Sequence, residues 1–467
     1  NAYVQPLMAG YLYDLQSRLK QDGFHAPCLL MTSGGNLVTV DTAAQFPIRL
    51  VESGPAGGAV LACEIARQMG EDQVLSFDMG GTTAKICLID DGQPLLSRHF
   101  EIDRSHRFMK GSGMPVKIPV VEMVEIGAGG GSIASVDRLG RLRIGPQSAG
   151  SDPGPACYGQ GGEEFTVTDA NLLTGRIDGS NFAGGRIVLD TDAAITATEV
   201  GIGRQLGVDA TKAASGVIEI VDENMASAAR IHAVERGKDV SGRTMIAFGG
   251  AAPLHAARLA EKLGIDRVVI PANAGVGSAV GFLMAPIAYE VVRSRYMRLD
   301  VLDTDALNNL FDEMAAEATE VVRLGAADTP ISIERHAFAR YVGQGHEIKI
   351  PVPSRPLQPE DADALRTAFE TEYERQYQRI VPGLDIEILT WTATAAASRE
   401  ETPESSRSNS AVEHDQVSPT ASRFMHLPGM AEGTEAAVID RQEMGEGKSL
   451  SGPAAIVEDQ TCTIVPD

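Results

Sequence analysis

Asp78-Met79-Gly80-Gly81-Thr82-Thr83 is the stretch of this chain whose residue types best suit chemistry. It lies between two apolar runs, 74–77 and 86–89, so the pattern predicts a strand, a glycine turn and a second strand. Paired glycines let successive backbone N–H groups cradle phosphate oxygens, because no Cβ blocks the approach. The threonine hydroxyls can donate as well. A carboxylate closing the first strand can hold Mg2+, largely through waters. No Walker-type G-x-x-x-x-G-K-[ST] occurs. Taken alone, the same residues also suit an ordinary hairpin.

A second pattern is Phe248-Gly249-Gly250-Ala251-Ala252-Pro253-Leu254-His255. A buried strand runs into two glycines and a helix starts at once. Such a corner admits an adenosine ring or ribose against bare backbone; a tight strand–helix turn is the alternative. A third pattern, Glu125 to Ser132, holds Gly129-Gly130-Gly131 behind a carboxylate. It suits a loop lying against phosphate or substrate, with Glu122 and Glu125 available for general-acid or metal work, or else a structural turn. His106-Arg107 with Lys110-Gly111-Ser112-Gly113 forms a basic patch in which Arg107 can grip a phosphate or carboxylate through two bonds, or simply be solvated. Cys157 is a lone cysteine near Asp152 and Asp169 and is read as structural. His255, at a helix start, is read as packed or capping rather than as a ligand. Arg340, Gly343-Gln344-Gly345 and His346 are read as fold features or a partner-facing surface.

Alternating strands and helices must position these residues. Helical spacing covers 7–20, with Leu7, Met8, Tyr11, Leu12, Leu15 and Leu19 on one face, and also 55–69, 192–207, 209–236 and 253–263. Strands are predicted at 28–31, 74–78, 84–89, 244–248 and 268–271, with a hairpin over 133–144. Gly275-Val276-Gly277-Ser278-Ala279 opens a further helix. This alternation predicts an α/β fold. Past residue 300 the pattern changes to charged amphipathic helices, 303–325 and 361–378, and half-buried strands, 331–352 and 383–398. The expected organisation is a domain over 1–298, a smaller α+β region over 299–398, a solvated loop or linker over 399–423 rich in Glu, Ser and Pro, and a short β-rich segment over 424–467.

Composition sets limits on partners. The 467 residues carry a formal net charge of −23, which repels nucleic acid and anionic membranes. A phosphate ligand must then be held by local N–H groups and Mg2+. The 49 glycines fall in clusters rather than in a repeat. The five cysteines (Cys28, Cys63, Cys87, Cys157, Cys462) include no C-x-x-C pair, so a cytoplasmic, reducing setting is expected. No run of about 18 apolar residues offers a membrane span.

Taken in order, these motifs resemble the actin-like ATPase (ribonuclease H-like) fold, and more closely the hydantoinase A/5-oxoprolinase family. The resemblance is carried by Ser53-Gly54-Pro55-Ala56-Gly57-Gly58, Phe77-Asp78-Met79-Gly80-Gly81-Thr82, Glu125-Ile126-Gly127-Ala128-Gly129-Gly130-Gly131-Ser132-Ile133, Gly145-Pro146 with Ser148-Ala149-Gly150, Asp152-Pro153-Gly154-Pro155-Ala156-Cys157-Tyr158-Gly159, Thr166-Val167-Thr168-Asp169-Ala170, and Phe248-Gly249-Gly250. It is strong over 1–290 and weak over 336–467.

The resemblance implies ATP and Mg2+ as cofactors, and a catalytic role for Asp78 and Glu125, with Asp78 toward the metal. It places Gly80, Gly81, Thr82, Thr83, Gly129 and Gly130 near phosphate, and Gly249, Gly250 and Ala251 against adenosine. It implies ATP-dependent activation of a cyclic amide carbonyl (hydantoin, oxoproline or lactam) for ring opening, with a hydantoinase B-type subunit as partner in a hetero-oligomer. Ketone carboxylation, as in acetophenone or acetone carboxylase subunits, is the alternative activity, and a non-catalytic assembly or regulatory subunit is the third reading. The family's first D-x-G-G-T loop has no match upstream of Asp78. An incomplete first lobe, and weak nucleotide binding by these residues alone, are therefore expected.

Overall fold

The structure is a computed structural model that describes residues 1–98, 100–102, 112–398, 415–427 and 432–466. His106, Arg107, Lys110 and Gly111 of the basic patch lie outside the described residues. The chain folds as two units: residues 1–53, 99–119 and 285–403, and residues 54–98, 120–284 and 404–467.

The second unit carries the glycine motifs. Its main sheet is built from β1 (Gln73–Met79), β2 (Ala84–Asp90), β3 (Val124–Ile126), β4 (Thr244–Phe248) and β5 (Arg267–Val269). Val74, Leu75, Phe77 and Met79 are all fully buried, as are Ile86, Leu88 and Ile89. Both faces of these strands are covered, which is why the sequence reads as unbroken apolar runs rather than as an alternation. The strand order is β3-β2-β1-β4-β5. β2 runs antiparallel to both β1 and β3, whereas β4 is parallel to β1 and to β5. Three antiparallel strands followed by two parallel to the first is the ribonuclease H-like arrangement, so the predicted α/β class holds.

The helices around this sheet include α1 (Ser53–Met69), α2 (Val167–Leu173), α3 (Ala210–Glu235), α4 (Ala252–Leu263) and α5 (Gly277–Met284). Asp209 caps α3 by accepting from the Lys212 N–H at 2.8 Å, and Val217, Val221 and Met225 carry its apolar face into the core. α1 and α5 present glycine both to each other and to β4: a Cβ on Gly281 of α5 would run into the Gly57 carbonyl of α1. A Cβ on Gly58 would lie 2.7 Å from the Phe248 ring, and one on Gly277 would lie 2.8 Å from the Phe248 Cβ.

A second sheet in this unit is made of β6 (Ala421–Met425), β7 (Thr434–Asp440), β8 (Ala454–Glu458) and β9 (Thr461–Val465), in that order. Met425, Ala436, Ala455 and Ile464 pack with Leu254 of α4. Within the stretch expected as a solvated loop, residues 415–416 pair with 448–449 and β6 begins at Ala421.

The first unit is a four-stranded antiparallel sheet, Ala288–Arg298, Ile386–Ala397, Ile331–Tyr341 and Ile348–Val352 in spatial order, with helices Thr304–Arg323 and Asp361–Tyr377. Trp391 is buried edge-on against Phe311 at 5.8 Å. Arg340 pairs with Glu387 at 2.7 Å, and His346 is exposed. The N-terminal helix spans Gln5–Gln21. Of its predicted apolar face only Leu12 is buried, while Leu7 and Tyr11 are exposed. Spacing identifies an amphipathic helix but not which of its residues are covered. No helix among the described residues is long and apolar enough to cross a membrane.

Candidate functional site

Asp78 and Met79 end β1, and Gly80 to Thr83 make the turn into β2. The turn closes through the Gly80 N–H on the Thr83 carbonyl at 3.2 Å. A Cβ on Gly80 or Gly81 would meet nothing within 4 Å, so the glycines here leave open space rather than fill a packing gap. Gly81 and Thr82 are exposed, and among the described residues their N–H groups have no acceptor. Two adjacent donors at an exposed, side-chain-free tip are an anion-receiving arrangement.

Charge is placed around this turn by sheet register. Phe248, Asp78, Lys85 and Glu125 are direct neighbours across β4, β1, β2 and β3, so their side chains leave the sheet on one face. Lys85 Nζ donates to Thr83 Oγ1 at 2.5 Å and lies 3.7 Å from Glu125 Oε1. Asp78 Oδ2 accepts from Ser278 Oγ, in the first turn of α5, at 2.9 Å. Burial pushes the Asp78 carboxyl above its ordinary range, and the Ser278 hydrogen bond and Lys85 charge only partly oppose this. An ionised carboxylate there is costly until a cation reaches it.

The two remaining glycine patterns serve this turn from either side. Gly130 N–H donates to Gly80 O at 3.0 Å and Gly131 N–H to Gly81 O at 2.6 Å. Gly129 N–H is taken by Ser132 Oγ at 2.8 Å. A Cβ on Gly129 would sit 2.5 Å from the Thr82 carbonyl carbon. These glycines therefore bring one backbone against another, and the N–H groups of Gly129 and Gly130 are engaged within the protein. On the other side, Ala251 N–H donates to Met79 O at 2.9 Å and Gly249 N–H to Ala274 O at 2.7 Å. Gly249 has φ +99°, and a Cβ there would lie 2.5 Å from both Asp78 Oδ1 and Met79 O. Its bare α-carbon meets the end of β1. Gly250 O accepts from Thr461 Oγ1 at 3.1 Å, which brings β9 to this corner.

Other sequence candidates fall outside this cluster. Glu122 is paired with Arg236. Asp169 is buried in the capping box of α2, bonded to Thr166 and to the Cys157 N–H at 2.7 Å. His255 is fully buried, and Asp152 is exposed. Burial first, then the neighbouring Asp169 carboxylate, pushes the Cys157 thiol far above the ordinary thiol range. A thiolate nucleophile is thus disfavoured, in line with the structural reading. In the folded protein Cys157 is expected to resist iodoacetamide at pH 7.5, at least about tenfold more slowly labelled than after denaturation. Equal labelling of its tryptic peptide in both states would contradict this burial.

Lys85 and Ser278 were not singled out by residue type. The signal for Lys85 was present, as a single cation opening the apolar run 86–89 immediately after the turn. Ser278 carries no such signal, since its partner is distant in the chain.

The site fits a magnesium–nucleotide phosphate better than a protein-only metal centre. Among the described residues no group of three or more His, Cys, Asp or Glu side chains is arranged to hold a metal. Asp78 alone can supply one carboxylate, and Mg2+ commonly takes its other ligands from phosphate and water.

A family model described as hydantoinase/oxoprolinase matches residues 1–291, and a second, for the hydantoinase/oxoprolinase C-terminal domain, matches residues 300–467. An uncharacterised protein of Methanocaldococcus jannaschii is 34% identical over 471 residues, covering 100% of this chain and 67% of the relative. The caprolactamase subunit alpha of Pseudomonas jessenii is 30% identical over 470 residues, covering 100% of this chain and 66% of its own length. The acetophenone carboxylase gamma subunit of Aromatoleum aromaticum is 32% identical over 395 residues, covering 82% of this chain and 52% of the relative. The crystal structure of the P. jessenii ATP-dependent caprolactamase superposes with a TM-score of 0.79 at 30% identity, covering 100% of this chain and 67% of that one. The chain thus spans between about half and two thirds of the length of these relatives.

Proposed function

The chain belongs to the hydantoinase/oxoprolinase family, and from that premise we propose that it is the ATP-dependent subunit of an enzyme that activates the carbonyl of a cyclic amide for ring opening. The observation that carries this reading is the exposed Gly81–Thr82 donor pair set beside Lys85 and the half-buried Asp78 carboxylate. Bound ATP with Mg2+ would supply the phosphoryl group that converts a carbonyl oxygen into a phosphate leaving group, releasing ADP.

The residues of this chain act by position and charge, as phosphoryl transfer requires. Gly81 and Thr82 N–H groups receive phosphate oxygens. Lys85 neutralises charge beside them and is itself aimed by Thr83 and Glu125. Asp78 would hold the metal when it is bound, and Ser278 fixes the Asp78 rotamer. Gly129 and Gly130 work through the turn that they buttress, and Gly249 lets the adenosine-side corner close on β1. Glu125 acts through Lys85 rather than on the substrate. A hydantoinase B-type subunit would complete the hydrolysis. Similarity to a caprolactamase along the whole chain favours a lactam-type substrate; similarity to an acetophenone carboxylase subunit keeps ketone carboxylation as the second reading.

The test is phosphate release by this chain with its partner subunit, offered caprolactam, 5-oxoproline and hydantoin in one series and acetophenone or acetone with bicarbonate in the other. Stimulation by cyclic amides alone is expected. Lys85→Met is expected to lower that stimulated rate by about 100-fold. Stimulation confined to ketones with bicarbonate would replace the amide reading with the second one. A rate untouched by Lys85→Met would remove the turn from catalysis.

A further inference from the structure

One buried polar cluster in the second unit is used by none of these steps. His255 Nδ1 lies 2.7 Å from Asp222 Oδ1, and His255 Nε2 lies 3.2 Å from the Asn171 side-chain nitrogen. All three residues are at most 1% exposed. With a carboxylate on Nδ1 the ring proton sits there, so Nε2 accepts from the Asn171 amide. The cluster is incompletely satisfied: Asn171 Oδ1, Asp222 Oδ2 and Arg176 Nε have no hydrogen-bond partner among the described residues. Burying such atoms costs stability that an apolar cluster of the same volume would not. The bonds the cluster does make, rather than its packing, are then its distinguishing feature.

Its place in the fold shows what those bonds connect. His255 stands in the first turn of α4, directly after the Gly249–Ala251 corner, and Arg176 Nη1 donates to the Leu254 carbonyl beside it at 3.2 Å. Asn171 stands on α2, whose Thr168 N–H donates to the Gly130 carbonyl at 2.7 Å. Gly130 in turn bonds Gly80, and Ala251 bonds Met79. The Asn171–His255 bond is therefore a bridge between the helix that holds the 129–131 loop and the helix that holds the 249–251 corner. Asp222, on α3, sets the tautomer that makes the bridge possible.

We propose that His255, with Asn171 and Asp222, is a positioning residue that couples the two glycine loops flanking the phosphate turn, so that displacement of one loop displaces the other. Its role in nucleotide use rests on the function proposed above; the coupling itself does not. Coupling through a shared bond is reciprocal, so breaking it from either side must loosen the far loop.

Hydrogen–deuterium exchange on the full chain without ligand tests this. His255→Leu is expected to raise exchange about tenfold across 127–132, and Asn171→Leu to do the same across 249–254. Asn171→Asp is expected to keep wild-type protection in both loops, because a side chain of the same length and shape still places a polar atom against His255 Nε2. If each leucine variant loosens only its own helix and adjoining loop, or if Asn171→Asp loosens both loops as much as Asn171→Leu, the coupling is wrong. Should the leucine variants not fold, His255→Asn replaces them. Its side chain is too short to reach both partners, and it is judged by the same cross-loop criterion. A separate arm adds a magnesium complex of a non-hydrolysable ATP analogue at millimolar concentration, because these residues alone are expected to bind nucleotide weakly. Absence of protection at 80–83 in that arm overturns the nucleotide reading alone, since the loop coupling is read without ligand.

Discussion

Asp78→Asn is expected to lower the phosphate-release rate of the assembled enzyme by at least about 100-fold while leaving the free chain as stable as the parent, or more so, at neutral pH. The two effects share one cause. Asp78 sits in a half-buried, largely desolvated position that raises its pKa above the ordinary 3.8, chiefly by desolvation. The sign of the stability term follows. Where the folded pKa exceeds the unfolded one, stability is intact below the unfolded pKa and is lost as pH rises through the folded value. The parent protein therefore buries a costly charge at neutral pH, and asparagine, which still accepts from Ser278 Oγ, does not. The gap in thermal midpoint between the two proteins should close as pH falls toward 3.8 and widen above it. A variant that loses both activity and stability at pH 7.5 would show that Asp78 holds the fold rather than a cation. A carboxylate that destabilises its own apo fold is the signature expected of a group waiting for Mg2+.

The sequence made the glycine turn at 80–83 legible because β1 and β2 are covered on both faces. Two seven-residue strands with apolar residues at both odd and even positions bracket the glycine turn between them. β3 was hidden for the opposite reason: three residues, Val124–Ile126, are too few for any period to show. The strand Ala288–Arg298 was also missed. Its residues 293–296 are exposed and its pairing shifts register between Ser294 and Met297, so alternation breaks midway.

Residue type and motif order point to Asp78 and the glycines, but not to what each glycine does. Gly80, Gly81 and Gly129 look alike in sequence. Only packing separates the first two, whose missing Cβ leaves open space, from the third, whose missing Cβ admits the Thr82 backbone. Residue type gives Lys85 no role of its own, because a strand cation is ordinarily a solvated edge residue. Here cross-strand register with Asp78 and Glu125 turns it toward the turn.

Gly249→Ala carries the largest expected cost to the fold, about 2–5 kcal/mol, read as a fall in denaturation midpoint without change in slope. Two penalties add. The backbone at Gly249 has φ +99°, which an L side chain rarely adopts, and the new methyl would stand 2.5 Å from Asp78 Oδ1 and from Met79 O. Neither neighbour yields easily, since Met79 O is the acceptor for Ala251 and Asp78 is held by Ser278. The methyl must therefore push the corner away from β1 and turn the Asp78 carboxylate off its partner. Gly250→Ala supplies the control: its Cβ would be 3.7 Å from Gln460 O, an ordinary contact, and a change within about 1 kcal/mol is expected. Equal losses from both substitutions would mean that the corner is generally intolerant. A loss confined to Gly249, accompanied by weaker nucleotide-induced stabilisation, would tie the second glycine motif to the first through the one carboxylate on which the proposed chemistry depends.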